Sequence, residues 1–145
     1  AMANDHGHKE LADYKLIISP QQLRDAIGLK AVDGLASRFA DTFNAGAEIK
    51  LRRCSAVGQC INFHTDHSLR TMQVPLNDDG DYDGGRLVYA TKEGLVTPRR
   101  PAGSATTHDN RIVHGVTTLT RGVRYGLFFL VLPTTATTAQ PQPQQ

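Results

Sequence analysis

Two periodicities divide the chain. From Ser19 onward, apolar side chains recur at helical spacing at Leu23, Ile27, Leu35, Phe39 and Phe43, with Ala26, Ala36 and Ala40 beside them. Residues 14–18 (YKLII) read as a short strand ahead of this stripe. Ser19 and Gln22 have the spacing of a capping box, and Pro20 suits a first helical position, where its missing N–H costs nothing. Gly28 and Gly34 fall inside the stripe, so it is one helix or two in series, stopped by Asn44-Ala45-Gly46. From Ala47 the pattern changes to period two. It predicts strands over residues 48–54, 59–65, 70–76, 86–91, 94–97, 104–108, 111–118 and 123–132. Short strands divided by Gly, Asp, Asn and Pro turns, with no helix among them, point to an antiparallel sandwich or barrel. The expectation is a mainly β fold with N-terminal helices.

Composition narrows the function classes. The 145 residues make one ordinary domain, and 39% apolar against 21% charged side chains excludes wholesale disorder. A formal charge of +2 lacks the footprint of a nucleic-acid or anionic-membrane partner. The longest apolar run, 126–132, is one strand long and too short to span a bilayer. Two cysteines make no disulfide framework, which favours a reducing compartment. Ala1-Met2-Ala3 reads as a cloning remnant, and residues 1–13 as that remnant plus a polar leader without the apolar stretch of a signal peptide. Residues 133–145 (PTTATTAQPQPQQ) hold nothing to bury and read as a disordered tail. This leaves 14–132 as a single domain, with helical support over 19–46 and a β core over 47–132.

Six histidines invite a search for a metal site. His64 and Asp66, two residues apart on a strand, leave the same face, while Ile61 and Phe63 point to the core face. Alone, this pair reads first as a hydrogen-bonded polar pair at a strand end. His114, in Arg111-Ile-Val-His-Gly-Val116, adds a second imidazole. Two imidazoles and one carboxylate on one side of an ion leave positions open for a co-substrate and O₂, the facial arrangement of non-haem Fe(II) oxygenases. A closed zinc site would want a fourth ligand, and Cys54 and Cys60, read as free thiols, are not spaced to give it. Ten residues after His114, Arg124 enters an apolar strand. It is either an exposed edge-strand cation or a buried fork for a carboxylate.

Other features have simpler roles. Asp79, Asp81, Asp83 and Gly84 imitate the start of a calcium loop, but the twelfth position is Ala90 and no helices flank it, so a turn is expected. His67 has the wrong parity relative to His64, His108 lacks a motif, and His6 and His8 lie in the leader. Arg99 and Arg100, with Arg52, Arg53 and Arg70, read as solvated loop and strand ends, or as a rim for an acidic peptide.

His64-x-Asp66, His114 and Arg124 together resemble the 2-oxoglutarate- and Fe(II)-dependent dioxygenases, most closely their prolyl and lysyl hydroxylase branch. Leu76-Asn77 with Asp81-Tyr-Asp-Gly-Gly85, then Pro101-Ala-Gly103, His114-Gly-Val116 and Thr120-Arg-Gly-Val-Arg-Tyr125, match that branch in order and spacing over about residues 48–133. The resemblance implies a double-stranded β-helix (jelly roll). It implies Fe(II) held by His64, Asp66 and His114, and 2-oxoglutarate paired through its far carboxylate with Arg124. Thr71 and Gln73 take positions where such enzymes often contact the co-substrate. Many relatives carry Ser two residues after the Arg; here that residue is Gly126. The implied activity is hydroxylation of an unactivated C–H bond with O₂, coupled to decarboxylation of 2-oxoglutarate to succinate and CO₂, with ascorbate as a family-level accessory. The absence of a long lid insertion favours a prolyl or lysyl residue of a protein or peptide as substrate, with a small molecule as the other choice. Two other readings remain. An oxidative nucleic-acid demethylase would want a second Arg six residues on, where Leu130 stands. A cupin-type or non-catalytic metal-binding jelly roll would not need Arg124.

Overall fold

The computed structural model describes residues 13–39, 47–55, 58 and 60–133. Strand β1 (Asp13–Ile18) leads into α1 (Pro20–Ile27), whose start is capped as expected. The Ser19 hydroxyl accepts from the Gln22 N–H at 3.1 Å, and the Gln22 carboxamide accepts from the Ser19 N–H at 2.7 Å. The chain breaks at Gly28 and restarts as α2 (Leu29–Arg38), so the apolar stripe belongs to two helices in series. The break re-aims the buried face: Leu23, Val32 and Phe39 are buried, whereas Ile27 is exposed. α2 ends at Arg38, ahead of Asn44-Ala45-Gly46. That tripeptide and Phe43 lie outside the described residues, as do His6, His8, residues 1–12 of the leader and the tail beyond Pro133. Among the described residues no helix is long and apolar enough to cross a membrane.

The rest is antiparallel β structure in two sheets. The larger has the order β1-β2-β10-β4-β8, where β2 is Ala47–Ser55, β4 Arg70–Pro75, β8 Thr106–Asp109 and β10 Leu119–Val131. A short β5 (Tyr82–Gly84) pairs with the start of β10. The smaller sheet runs β3-β9-β6-β7, with β3 Ile61–His64, β6 Leu87–Thr91, β7 Gly94–Val96 and β9 His114–Val116. The expected jelly roll is what forms.

Alternation then assigns each face of the larger sheet its task. Ile49 of β2, Met72 and Val74 of β4, and Leu127 and Phe129 of β10 form one buried cluster with Leu23, Val32 and Phe39 of the helical segment. The opposite parity (Glu48, Lys50 and Arg52; Thr71 and Gln73; Arg124, Phe128 and Leu130) looks toward the smaller sheet and lines a cleft. The helices thus cover the outer face and leave the inner one free for chemistry.

Three strand expectations shift. The segment 111–118 shortens to β9 because Asp109 turns the chain, its carboxylate bound to the Arg111 backbone N–H at 2.9 Å and to its guanidinium at 2.6 Å. β10 begins four residues earlier than expected, at Leu119, by pairing with β5 across a register irregularity. β5 itself was concealed within NDDGDYDGG, which holds a 3₁₀ turn (Asp79–Asp81) before Tyr82. The acidic side chains there cap backbone and bind arginine: Asp78 accepts from the Ala102 N–H at 2.7 Å, and Asp79 pairs with Arg86 at 2.8 Å.

Gly84 is required where β5 ends. Its φ is +69°, and a Cβ would stand 1.9 Å from the Thr118 carbonyl oxygen. Gly84→Ala is expected to destabilise the domain by at least about 2 kcal/mol, read as a lower urea midpoint. Gly80→Ala, with open space around it, should leave the midpoint within error.

Candidate metal centre

β3 and β9 place His64 and His114 directly opposite each other in register, and their rings lie 4.5 Å apart. Close approach of the strands depends on Gly115: a Cβ there would meet the Ile61 carbonyl oxygen at 2.9 Å and the Phe63 nitrogen at 3.3 Å. The β3–β9 pairing is irregular between Ile61 and His64, which defeats simple parity. Ile61 therefore lines the cleft with His64; Phe63 does not line it and is exposed instead of packing in the core.

Both imidazoles are oriented in the same way. The Nδ1 of His64 donates to the Asn62 carbonyl at 2.8 Å, and that of His114 to the Ile112 carbonyl at 3.2 Å. Each Nε2 is left as a lone-pair donor, 3.5 Å from Oδ1 of Asp66. One ligand atom from each of the three residues lies within 4.8 Å of the others, the sole such cluster among the described residues. This donor set fits a divalent first-row ion with open positions, and suits Fe(II).

Electrostatics favour the metal-binding protonation states. Burial tends to raise the Asp66 pKa, but hydrogen bonds from His108 and Thr71 and the neighbouring imidazoles bring it down to about 2. Burial pushes His114 below the ordinary histidine value, keeping its Nε2 free of a proton near neutral pH.

All six residues singled out in the sequence line one cleft of about 370 Å³: His64, Asp66, Thr71, Gln73, His114 and Arg124. Arg124 is 8% exposed, and among the described residues no carboxylate forms an ion pair with it. Desolvation depresses its pKa, as does the charge of nearby Arg100, while Tyr82 partly opposes that shift. Such a buried cation is costly without an anion. The Thr71 hydroxyl donates to Oδ2 of Asp66 at 2.5 Å and contacts the Ser68 hydroxyl at 2.7 Å. Gln73 is buried on the cleft face. At Gly126, a Cβ would stand 3.0 Å from the Phe128 ring, so that ring takes the space a Ser would need.

Two sequence readings change. Arg100 is no solvated rim residue: it is 2% exposed, with its Nε buried and without a hydrogen-bond partner among the described residues. His108 belongs to no motif in the sequence, yet its Nε2 lies 2.9 Å from Oδ2 of Asp66 and its ring 4.4 Å from that of His114. The signal was its register opposite Thr71, which only the folded sheet supplies.

No family model matches the chain. Curated relatives named PKHD-type hydroxylase do. That of Pseudomonas paraeruginosa is 33% identical over 92 residues, 54% of this chain and 41% of the relative. That of Paracoccus denitrificans is 36% identical over 88 residues, 61% of this chain and 37% of the relative. The chain thus spans about two fifths of the length of these relatives. Among solved structures, prolyl 4-hydroxylase from Phytophthora capsici covers 90% of this chain and 52% of its own at TM-score 0.60 and 18% identity. The Pseudomonas putida prolyl-4-hydroxylase covers 83% and 72%, at TM-score 0.60 and 19% identity. The Trichoplax adhaerens prolyl hydroxylase, solved with a hypoxia-inducible-factor peptide fragment, covers 83% and 62%, at TM-score 0.62 and 17% identity. These structures share the fold. The resemblance to prolyl-hydroxylase-like 2-oxoglutarate/Fe(II) dioxygenases thereby holds in both sequence and architecture.

Proposed function

We propose that this relative of the PKHD-type hydroxylases is itself an Fe(II)- and 2-oxoglutarate-dependent hydroxylase, acting on a prolyl or lysyl residue of a protein or peptide. One observation carries the reading: two imidazoles and a carboxylate converge in the same cleft as a buried arginine that lacks a carboxylate partner among the described residues. His64, Asp66 and His114 would hold the metal. Bound Fe(II) would supply the redox centre at which O₂ and 2-oxoglutarate give succinate and CO₂ while a substrate C–H becomes C–OH. Asp66 offers the anionic ligand, and the two histidines offer Nε2 because backbone carbonyls hold their Nδ1 protons. Arg124 would bind the far carboxylate of 2-oxoglutarate bidentately in a desolvated setting, where such a pair is strongest. Phe128 and Leu130 give that part of the cleft apolar walls. The cleft also reaches Lys15, Lys50 and Arg52 toward the β1 edge, giving an extended substrate a polar approach. Ascorbate belongs to the proposal as an accessory reductant of the family.

Anaerobic addition of Fe(II) and 2-oxoglutarate to the metal-free protein tests this. A weak visible metal-to-ligand charge-transfer band is expected in the parent and not in His64→Ala. Absence of the band, with no effect of 2-oxoglutarate on thermal stability, would favour a cupin-type or non-catalytic module instead.

A further inference from the structure

Asp66 presents its two oxygens to different neighbours. Oδ1 faces the Nε2 atoms of His64 and His114, at 3.5 Å from each. Oδ2 accepts from the Thr71 hydroxyl at 2.5 Å and from His108 Nε2 at 2.9 Å. These two donors are direct cross-strand partners: β4 and β8 pair with Thr71 opposite His108, on the cleft face of the larger sheet. The His108 side chain is 3% exposed, and its ring sits 4.4 Å from His114 and 5.5 Å from Tyr89. Its Nδ1 lies 3.2 Å from the Tyr89 hydroxyl, which can donate to it and so leave the ring proton on Nε2, aimed at Asp66.

We propose that His108 is a positioning residue of the metal centre, which with Thr71 clamps Oδ2 of Asp66 so that only Oδ1 is offered to the ion. The inference rests on the Fe(II) reading and deepens it. A carboxylate free to rotate can chelate through both oxygens and consume a coordination position. With Oδ2 held by two donors from one strand pair, Asp66 ligates through a single oxygen, and the position it would otherwise occupy stays available. Tyr89 sets the His108 tautomer, so the clamp extends across both sheets, from β6 through β8 to the loop that carries Asp66. Partners that orient a metal-ligating carboxylate typically contribute 10- to 100-fold in affinity.

The test uses Co(II) alone, titrated into the metal-free full chain by calorimetry and followed through its d–d absorption. His108→Leu is expected to bind roughly 10- to 100-fold more weakly than the parent. His108→Gln keeps an N–H donor of similar reach and should recover most of that loss, with a parent-like spectrum. His108→Leu binding as tightly as the parent would overturn the inference, and so would His108→Gln binding as weakly as His108→Leu, since the donated hydrogen bond would then not be what matters. Failure of the parent to bind Co(II), or binding by His64→Ala equal to the parent's, would overturn the metal-site reading and this inference with it. A measurement on the unsubstituted chain guards against variants that do not fold. Nitrogen-15 NMR of the imidazoles should find His108 protonated on Nε2 and bare on Nδ1; the opposite tautomer contradicts the clamp.

Discussion

Asp66→Ala is expected to lose metal binding and turnover together, by about a thousandfold or more, the scale of the several kcal/mol that a bound metal contributes to catalysis. The cause is local. Asp66 brings the single negative charge to a cluster of imidazoles, and its Oδ1 is the atom both Nε2 groups converge upon. Without it, two neutral histidines remain as ligands, too few to hold Fe(II) against water. The substitution also leaves the buried His108 Nε2–H without its acceptor, at roughly 1–3 kcal/mol, while the Thr71 hydroxyl can turn to Ser68. Lower stability of the metal-free variant should therefore accompany lost function. Calorimetric titration with Co(II), thermal melts and succinate release measure the three effects. A variant that still binds Co(II) near parental affinity would remove Asp66 from the ligand set.

Arg124→Leu is expected to separate co-substrate binding from metal binding. Truncating one partner of a buried, hydrogen-bonded charge pair costs about 2–5 kcal/mol, or roughly 30- to 5,000-fold in 2-oxoglutarate affinity. Metal affinity should stay at the parent value, since Arg124 touches none of the three ligands. Stability should move the other way. The guanidinium is almost wholly buried, desolvation already depresses its pKa, and Arg100 repels it. A shorter apolar side chain removes the buried charge and its desolvation cost, so the ligand-free variant should melt at or above the parent temperature. Such opposition between binding and stability marks a residue held in place for a ligand. Equal 2-oxoglutarate affinity in variant and parent would assign the far carboxylate to another residue, with buried Arg100 the first to examine.

Much of this arrangement was legible before folding because its signals are local. Ser19, Pro20 and Gln22 fix a helix start through bonds three residues apart, and period two in β2, β4 and β10 separates core from cleft residue by residue. The spacing of His64-x-Asp66, His114 and Arg124 carried the site, although fifty residues separate the two histidines. What escaped depends on register. His108 matters because it stands opposite Thr71, and no local pattern encodes which residues of two strands will pair. Ile61 shares the cleft with His64 because the β3–β9 ladder is irregular just before His64. Arg100 seemed a loop cation beside prolines, yet the chain there folds inward, its backbone N–H held by Asp79 at 3.2 Å. β5 was hidden by its own turn-rich flanks, since three residues between Asp and Gly show no periodicity.

The central claim is that His64, Asp66, His114 and Arg124 serve one bound metal and one bound 2-oxoglutarate in a single cleft. A crystal structure grown without oxygen, with Mn(II) replacing Fe(II) and 2-oxoglutarate present, tests it most directly. Anomalous scattering should place one ion on Nε2 of His64, Oδ1 of Asp66 and Nε2 of His114, with a carboxylate of 2-oxoglutarate on the Arg124 guanidinium. An ion bound elsewhere, or a co-substrate that leaves Arg124 without an anion, would contradict it.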